Sequence, residues 1–142
     1  MRAVVVGCGR VGSNVALRLA AEGWDVTVVD EKEEALGRLG DSWRGGFVVG
    51  HGMDTETLLR AGIEGADALV VATNGDNTNL VIAQVGQRRF EVSCVVTRVL
   101  DPARAQFYAE QGLRTICPTQ TAIEELTEVV RACSSPLAPA EA

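Results

Sequence analysis

Three glycines and one aspartate carry the first chemical signal. Gly7, Gly9 and Gly12 form the pattern G-x-G-x-x-G in the segment GCGRVG, directly after a short apolar run. In such a turn the first glycine allows the sharp bend. The second lets the backbone approach a diphosphate with no Cβ in the way, and the third lets the next helix pack close to the sheet. The helix start then offers free N–H groups and a positive dipole end to phosphates. Cys8, Arg10 and Val11 complete the expected phosphate turn. Asp30 stands eighteen residues after Gly12, at the end of a second apolar run, with Glu31 beside it. A carboxylate there accepts hydrogen bonds from both hydroxyls of an adenosine ribose and repels a 2′-phosphate. The expected ligand is an adenine nucleotide, with NAD(H) ahead of ATP, ADP or AMP and NADP disfavoured. Capping of the following segment DEKEEAL is a second, compatible use of Asp30.

The elements that position these residues follow one rhythm. Apolar, β-branched runs at 3–6, 26–29, 47–49, 68–72, 92–97 and 114–117 alternate with helix-period segments. The runs are nearly uniformly apolar, as in strands covered on both faces. Helical stripes are expected at Val11, Val15 and Leu19; at Leu36 and Leu39; at Leu58, Leu59 and Ile63; at Leu80, Val81, Ala83 and Val85; and at Ala103, Phe107 and Ala109. Asp101-Pro102 marks a helix start, and Gly23, Gly40, Gly62 and Gly112 stand where helices should stop. Six strands alternating with helices predict an α/β, Rossmann-like, doubly wound parallel sheet of order 3-2-1-4-5-6. A further helix is expected at about 120–133, with Ile123, Leu126, Val130 and Cys133 on one face. The Pro- and Ala-rich stretch 134–142 reads as a linker or frayed end. The expected organisation is a nucleotide-binding domain over 1–118, a C-terminal crossover helix over 119–133 and a tail.

Ligands of such sheets bind at the carboxyl ends of the strands, so three more loops should face the same cleft. GHGMD follows the third strand, TNGDNTN the fourth and RVLDP the fifth. His51, with Gly52, could stack on or hydrogen-bond an adenine, although a lone histidine is more often structural. Thr73 and Asn74 can line the cleft. Asp54 and Asp76 read as helix caps. Arg10 and Arg98 are the cations expected near phosphates, with pairing to surface carboxylates as the alternative.

Composition limits the remaining choices. The 142 residues suit one domain, and 46% hydrophobic residues suit a packed core. No apolar run reaches the ~18 residues of a membrane span, and no signal-peptide pattern opens the chain, so a cytoplasmic location is expected. Cys8, Cys94, Cys117 and Cys133 form no C-x-x-C pair and read as free thiols, with no metal site expected. A net charge of −6 without a basic stripe disfavours nucleic acid.

Three stretches together resemble the N-terminal nucleotide-binding domains of potassium-uptake regulators, the TrkA/KtrA type, also called RCK-N or TrkA-N. They are VVVGCGRVGSNVALRLAAEGWDVTVVD, VVGHGMDTETLLRAGIEGADALVVATNGDNTN and CVVTRVLDP, the second being the most specific. The resemblance covers the chain from Met1 to about Leu126. It implies a cytosolic sensor of NAD(H) or another adenine nucleotide that regulates a membrane-embedded potassium channel or transporter and lies under the inner face of the membrane through that partner. It implies dimers, and possibly rings, whose shape follows the bound nucleotide. Carried over, Gly7, Gly9 and Gly12 hold phosphates and Asp30 the ribose, with Thr73, Asn74 and Arg98 beside the ligand. Thr119 in CPTQ stands where some relatives place an acidic residue, so no cation site is expected there. The second regulatory subdomain usual in the family is not in this sequence. The rival is a small NAD-dependent oxidoreductase or its cofactor domain. It needs an acid or base at the nicotinamide, and His51, Tyr108 and Lys32 are not placed for that work. A third class is a bare interaction module without a ligand, against which the intact glycine and Asp30 set argues.

Overall fold

Valine dominates the apolar runs, and its β-branched side chain favours the pleated strand. In the computed structural model, which describes residues 1–134, the elements in order are β1 Arg2–Val6, α1 Arg10–Ala21, β2 Asp25–Asp30, a 3-10 helix Glu33–Leu39, β3 Gly46–Val49, α2 Thr55–Arg60, a 3-10 turn Ile63–Gly65, β4 Ala68–Val71, α3 Asp76–Arg88, β5 Cys94–Arg98, α4 Pro102–Glu110, β6 Arg114–Ile116 and α5 Pro118–Ser134. Of the expected tail 134–142, Ser134 closes α5 and the rest lies outside the described residues. No described helix is long and apolar enough to cross a membrane.

The six strands form one parallel sheet in the order β3-β2-β1-β4-β5-β6, as the sequence predicts. Each face carries its own core. Alternate residues of β1 divide between them: Val4 and Val6 face Leu58, Ile63, Leu80 and Ile82, while Ala3 and Val5 face Ala16, Ala35 and Leu39. Strand order reverses between β1 and β4, and a crevice opens there above the strand ends.

Four helical faces differ from the sequence expectation, and in α3 the difference is Val81, which is exposed while Leu80, Ile82 and Ala83 are buried. In α1 the fully buried residues are Gly12, Ser13 and Ala16, while Val11 is exposed. The helix starts so close to the turn that only small side chains fit beneath it. The segment with Leu36 and Leu39 is a 3-10 helix that buries Ala35 and Leu39 and leaves Leu36 outside. Gly37 in its middle weakens the α-helical alternative. In α4 the buried residue is Ala105, and Phe107 is exposed, edge-on to Tyr108. The expected stops hold: Gly23, Gly40, Gly62 and Gly112 all have positive φ.

Leu69 shows how tightly the central strand is packed. It is fully buried in β4, and a Cβ on Gly86 of α3 would lie 2.3 Å from its Cδ2. Leu69→Ala should leave a cavity under α3 and cost about 2–5 kcal/mol of stability, read as a lower urea midpoint at unchanged slope.

Candidate functional site

The crevice is a cleft of about 810 Å³ above the ends of β1 to β4. Its floor is the glycine turn. Gly7 takes φ +101°, and a Cβ there would meet the Ala72 carbonyl oxygen at 2.7 Å, so the turn requires glycine. A Cβ on Gly12 would lie 1.7 Å from the Gly7 carbonyl oxygen, so α1 begins directly against the turn it follows. Gly9 differs. Its φ of −83° suits any residue, and nothing lies within 4 Å of the Cβ position. No protein atom demands a glycine at 9, and the space above it is the open cleft.

Asp30 ends β2 beside the turn. Its Oδ2 accepts from the Cys8 N–H at 2.8 Å and its Oδ1 from the Lys32 N–H at 2.9 Å. The carboxylate thus fixes the turn and starts the next segment at once. Each oxygen retains acceptor capacity beyond that one bond, so two adjacent hydroxyls can still donate to it. Cys8 is fully buried beneath, and its thiol donates to the Ala35 carbonyl at 3.3 Å. Burial, reinforced by the Asp30 charge and opposed by Arg38, raises the thiol above its ordinary value of 9.0. The side chain is therefore a packing group at neutral pH, not a nucleophile.

The walls come from the later loops. Glu31 and His51 face each other as a pair, Oε1 to Nε2 at 3.3 Å, and His51 Nδ1 accepts from the Met53 N–H. Asp54 caps α2 as expected, accepting from the Glu56 N–H at 3.1 Å. Asp76 does not cap α3: Gly75 holds that position. Its carboxylate accepts instead from the Leu100 and Asp101 N–H groups at 2.7 and 3.0 Å, joining two neighbouring loops. The β4 loop is held from below by Asn79, which is buried. Its Nδ2 donates to the carbonyls of Thr73 and Arg98, both at 3.0 Å, and its Oδ1 accepts from the Thr73 N–H and hydroxyl.

Of the residues expected at the site, Gly7, Cys8, Gly9, Asp30, Glu31, His51, Gly52, Thr73 and Asn74 line the cleft together. Val11 and Arg10 stand on the first turn of α1 and Gly12 lies beneath it, outside the lining. Arg98 also stands outside: its Nη2 donates to the Thr73 carbonyl at 2.6 Å and to Asn74 Oδ1 at 3.3 Å, so it holds the loop instead. Several residues of the site were not singled out as such in the sequence, among them Lys32, Arg38 and Thr78 in the lining and Asn79 beneath it. Arg38 lines the cleft from the 3-10 helix, and the stripe read at Leu36 and Leu39 did not tell which way the charged residue between them turns. Asn79 stood in the quoted TNGDNTN, where a polar residue on the inner face of a helix was the available sign.

The chain matches the TrkA-N domain family over residues 3–118 and belongs to it. Across 138 residues it is 39% identical to a Trk system potassium uptake protein TrkA of Streptomyces coelicolor, covering 96% of this chain and 62% of that protein. The chain thus spans less than two thirds of that relative. The fold superposes on a Shewanella denitrificans Kef CTD in AMP-bound form, with a TM-score of 0.79, 20% identity, and 96% and 84% of the two chains covered. It superposes equally on a GsuK channel bound to NAD, with a TM-score of 0.78, 20% identity, and 94% and 24% covered.

The buried Gly12 and the exposed Gly9 should therefore respond differently to one methyl group. Gly12→Ala should cost at least about 1–3 kcal/mol, because a backbone carbonyl occupies the new position. Gly9→Ala should change stability by no more than about 0.5 kcal/mol. Thermal unfolding of the two variants beside the parent measures both.

Proposed function

We propose that this TrkA-N chain is a nucleotide-sensing regulatory domain of a potassium channel or transporter, and that its cleft holds NAD(H) or another adenine nucleotide. The observation that carries this is the pairing of Asp30 with the glycine turn. The carboxylate keeps acceptor capacity at the cleft wall, and Gly9 leaves the floor open where no packing demands it. In the proposed complex the α1 N-terminus and the turn take the phosphates, Asp30 the ribose hydroxyls, and the loops around His51, Gly52, Thr73 and Asn74 flank the base and its neighbours. The Kef and GsuK structures, with AMP and NAD bound on the same fold, support the ligand class. The uptake protein of Streptomyces coelicolor supports the link to potassium.

Regulation without catalysis is favoured by the chemistry on hand. His51 is paired with Glu31 on the Asp30 side of the cleft, away from where a nicotinamide would meet a substrate. Titration with NAD, NADH, AMP, ADP and ATP should show one site per chain without turnover. Steady oxidation of an alcohol by the bound cofactor would favour the oxidoreductase, and equal affinity for NAD and NADP would remove the role given to Asp30.

Asp30→Ala should weaken binding by on the order of tenfold or more, since it deletes two charge-assisted hydrogen bonds of about 1.5–3 kcal/mol each. The variant should also lose about 1–3 kcal/mol of stability, because the Cys8 N–H loses its acceptor. Binding is therefore measured by calorimetry well below the unfolding midpoint. An unchanged dissociation constant would remove Asp30 from the site.

We further propose that the chain pairs with a second copy through α5. No residue of α5 is buried, and Ile123, Leu126, Val129 and Val130 stand more than half exposed. Phe107 and Ile116 are exposed on the same end of the sheet. Large aliphatic side chains left in water forgo roughly 1.5–3 kcal/mol each relative to burial, and a two-fold pairing recovers that at both copies. Light scattering should give a mass near twice 15.0 kDa. Leu126→Asp should give the monomer mass with the fold intact; a parent that stays monomeric at high concentration would rule out the pairing.

A further inference from the structure

Two cationic side chains of Lys and Arg line the cleft, Lys32 and Arg38, and of the two only Arg38 hydrogen-bonds the glycine turn among the described residues. Arg38 lines the cleft from the 3-10 helix Glu33–Leu39. Glu34 precedes it by four residues, a spacing that would pair the two on an α-helix. A 3-10 helix has three residues per turn, and no ion pair joins them among the described residues. The guanidinium turns instead to the glycine turn, where Nη1 donates to the Cys8 carbonyl at 3.4 Å. The N–H of that same residue donates to Asp30. Arg38 thus stands where the ribose carboxylate and the phosphate turn meet. Its one side-chain hydrogen bond among the described residues is longer than the ordinary 2.7–3.2 Å, and no other described residue accepts from the remaining guanidinium donors, which leaves them for a ligand. Arg98 is committed to the Thr73 loop, and Arg10 is outside the lining.

We propose that Arg38 is a specificity-determining residue of this site, reading the phosphate charge of an adenosine 5′-phosphate. The assignment rests on the nucleotide function proposed above. A planar, permanently charged guanidinium suits phosphate oxygens, and its pull grows with the charge on the ligand. An uncharged nucleoside gains nothing from it. Arg38 therefore separates adenosine from AMP and ADP, while Asp30 and the loops recognise the nucleoside that all three share.

Calorimetric titration of the full chain, Arg38→Gln and Arg38→Lys with adenosine, AMP and ADP tests this. The parent should bind ADP more tightly than adenosine. Arg38→Gln should weaken ADP by about ten- to a hundredfold, the range for a charged hydrogen bond. Its adenosine affinity should stay within roughly twofold, and its melting temperature should match the parent because the side chain is exposed. Arg38→Lys should recover part of the ADP affinity, keeping charge without the fork. Equal ADP affinity in parent and Arg38→Gln overturns the assignment while leaving the nucleotide function standing. Parallel loss of adenosine and ADP also overturns it, by showing that Arg38 supports the base or the fold. A parent that binds none of the three ends the nucleotide function, and the role of Arg38 with it.

Discussion

The contact between α1 and the glycine turn constrains everything above the sheet. A Cβ on Gly12 would fall 1.7 Å from the Gly7 carbonyl oxygen, so the helix begins as close to the turn as a backbone allows. That closeness dictates the small residues Ser13 and Ala16 beneath the helix. It sets the first turn of α1, whose free N–H groups carry a partial positive charge, directly behind the glycine turn that floors the cleft. Asp30 then ties the same turn to β2 through the Cys8 N–H. Two consecutive strands and the helix between them are locked by one close approach and one charged hydrogen bond. A ligand meeting this floor would have little ordering left to impose, which is the physical content of preorganisation.

The opposite wall uses polar chemistry for the same end. Asn79 is buried and satisfies all of its hydrogen-bonding groups within the β4 and β5 loops. Arg98 adds a second grip on the Thr73 carbonyl, and Asp76 fastens the β5 loop to the start of α3. Loops without such partners would carry unpaired backbone groups at a cleft rim. Here the side chains that might have been spent on a ligand are spent on the frame. The Glu31–His51 pair is the contrast: both partners are exposed, and an exposed pair contributes little to stability.

Strand order, strand type, the glycine turn and the loops that meet at the cleft were legible in the sequence because they follow from period and punctuation. Valine runs buried on both faces have few other meanings, and Gly7, Gly9, Gly12 and Asp30 sit at spacings that backbone geometry enforces. What stayed hidden depends on direction more than on type. The buried face of α1 did not follow its largest apolar residues, because proximity to the turn outweighed hydrophobicity at Val11. Asp76 read as a cap in the sequence, yet the helix begins one residue earlier than that reading needs, and its carboxylate accepts from the Leu100 and Asp101 N–H groups at 2.7 and 3.0 Å. Arg98 appeared at the right strand end, but which way a long side chain turns is settled by the acceptors around it. Arg38 shows the reverse: nothing periodic marked it, and a 3-10 helix turned it inward.

The way α5 leaves the body has a mechanical consequence. β6 is three residues long and lies at the edge of the sheet, and Pro118 starts the helix almost immediately after it. No slack segment separates the two, and proline limits the backbone at the joint. A helix of 17 residues at a rise of ~1.5 Å per residue extends roughly 25 Å from that joint. Its geometry is that of a lever arm with its fulcrum at the sheet edge. A tilt of about 10° at β6 would carry the far end of the helix about 4–5 Å, nearly one helical pitch. A small rotation of the edge strand would thus be magnified into a displacement of several ångströms at the far end of α5.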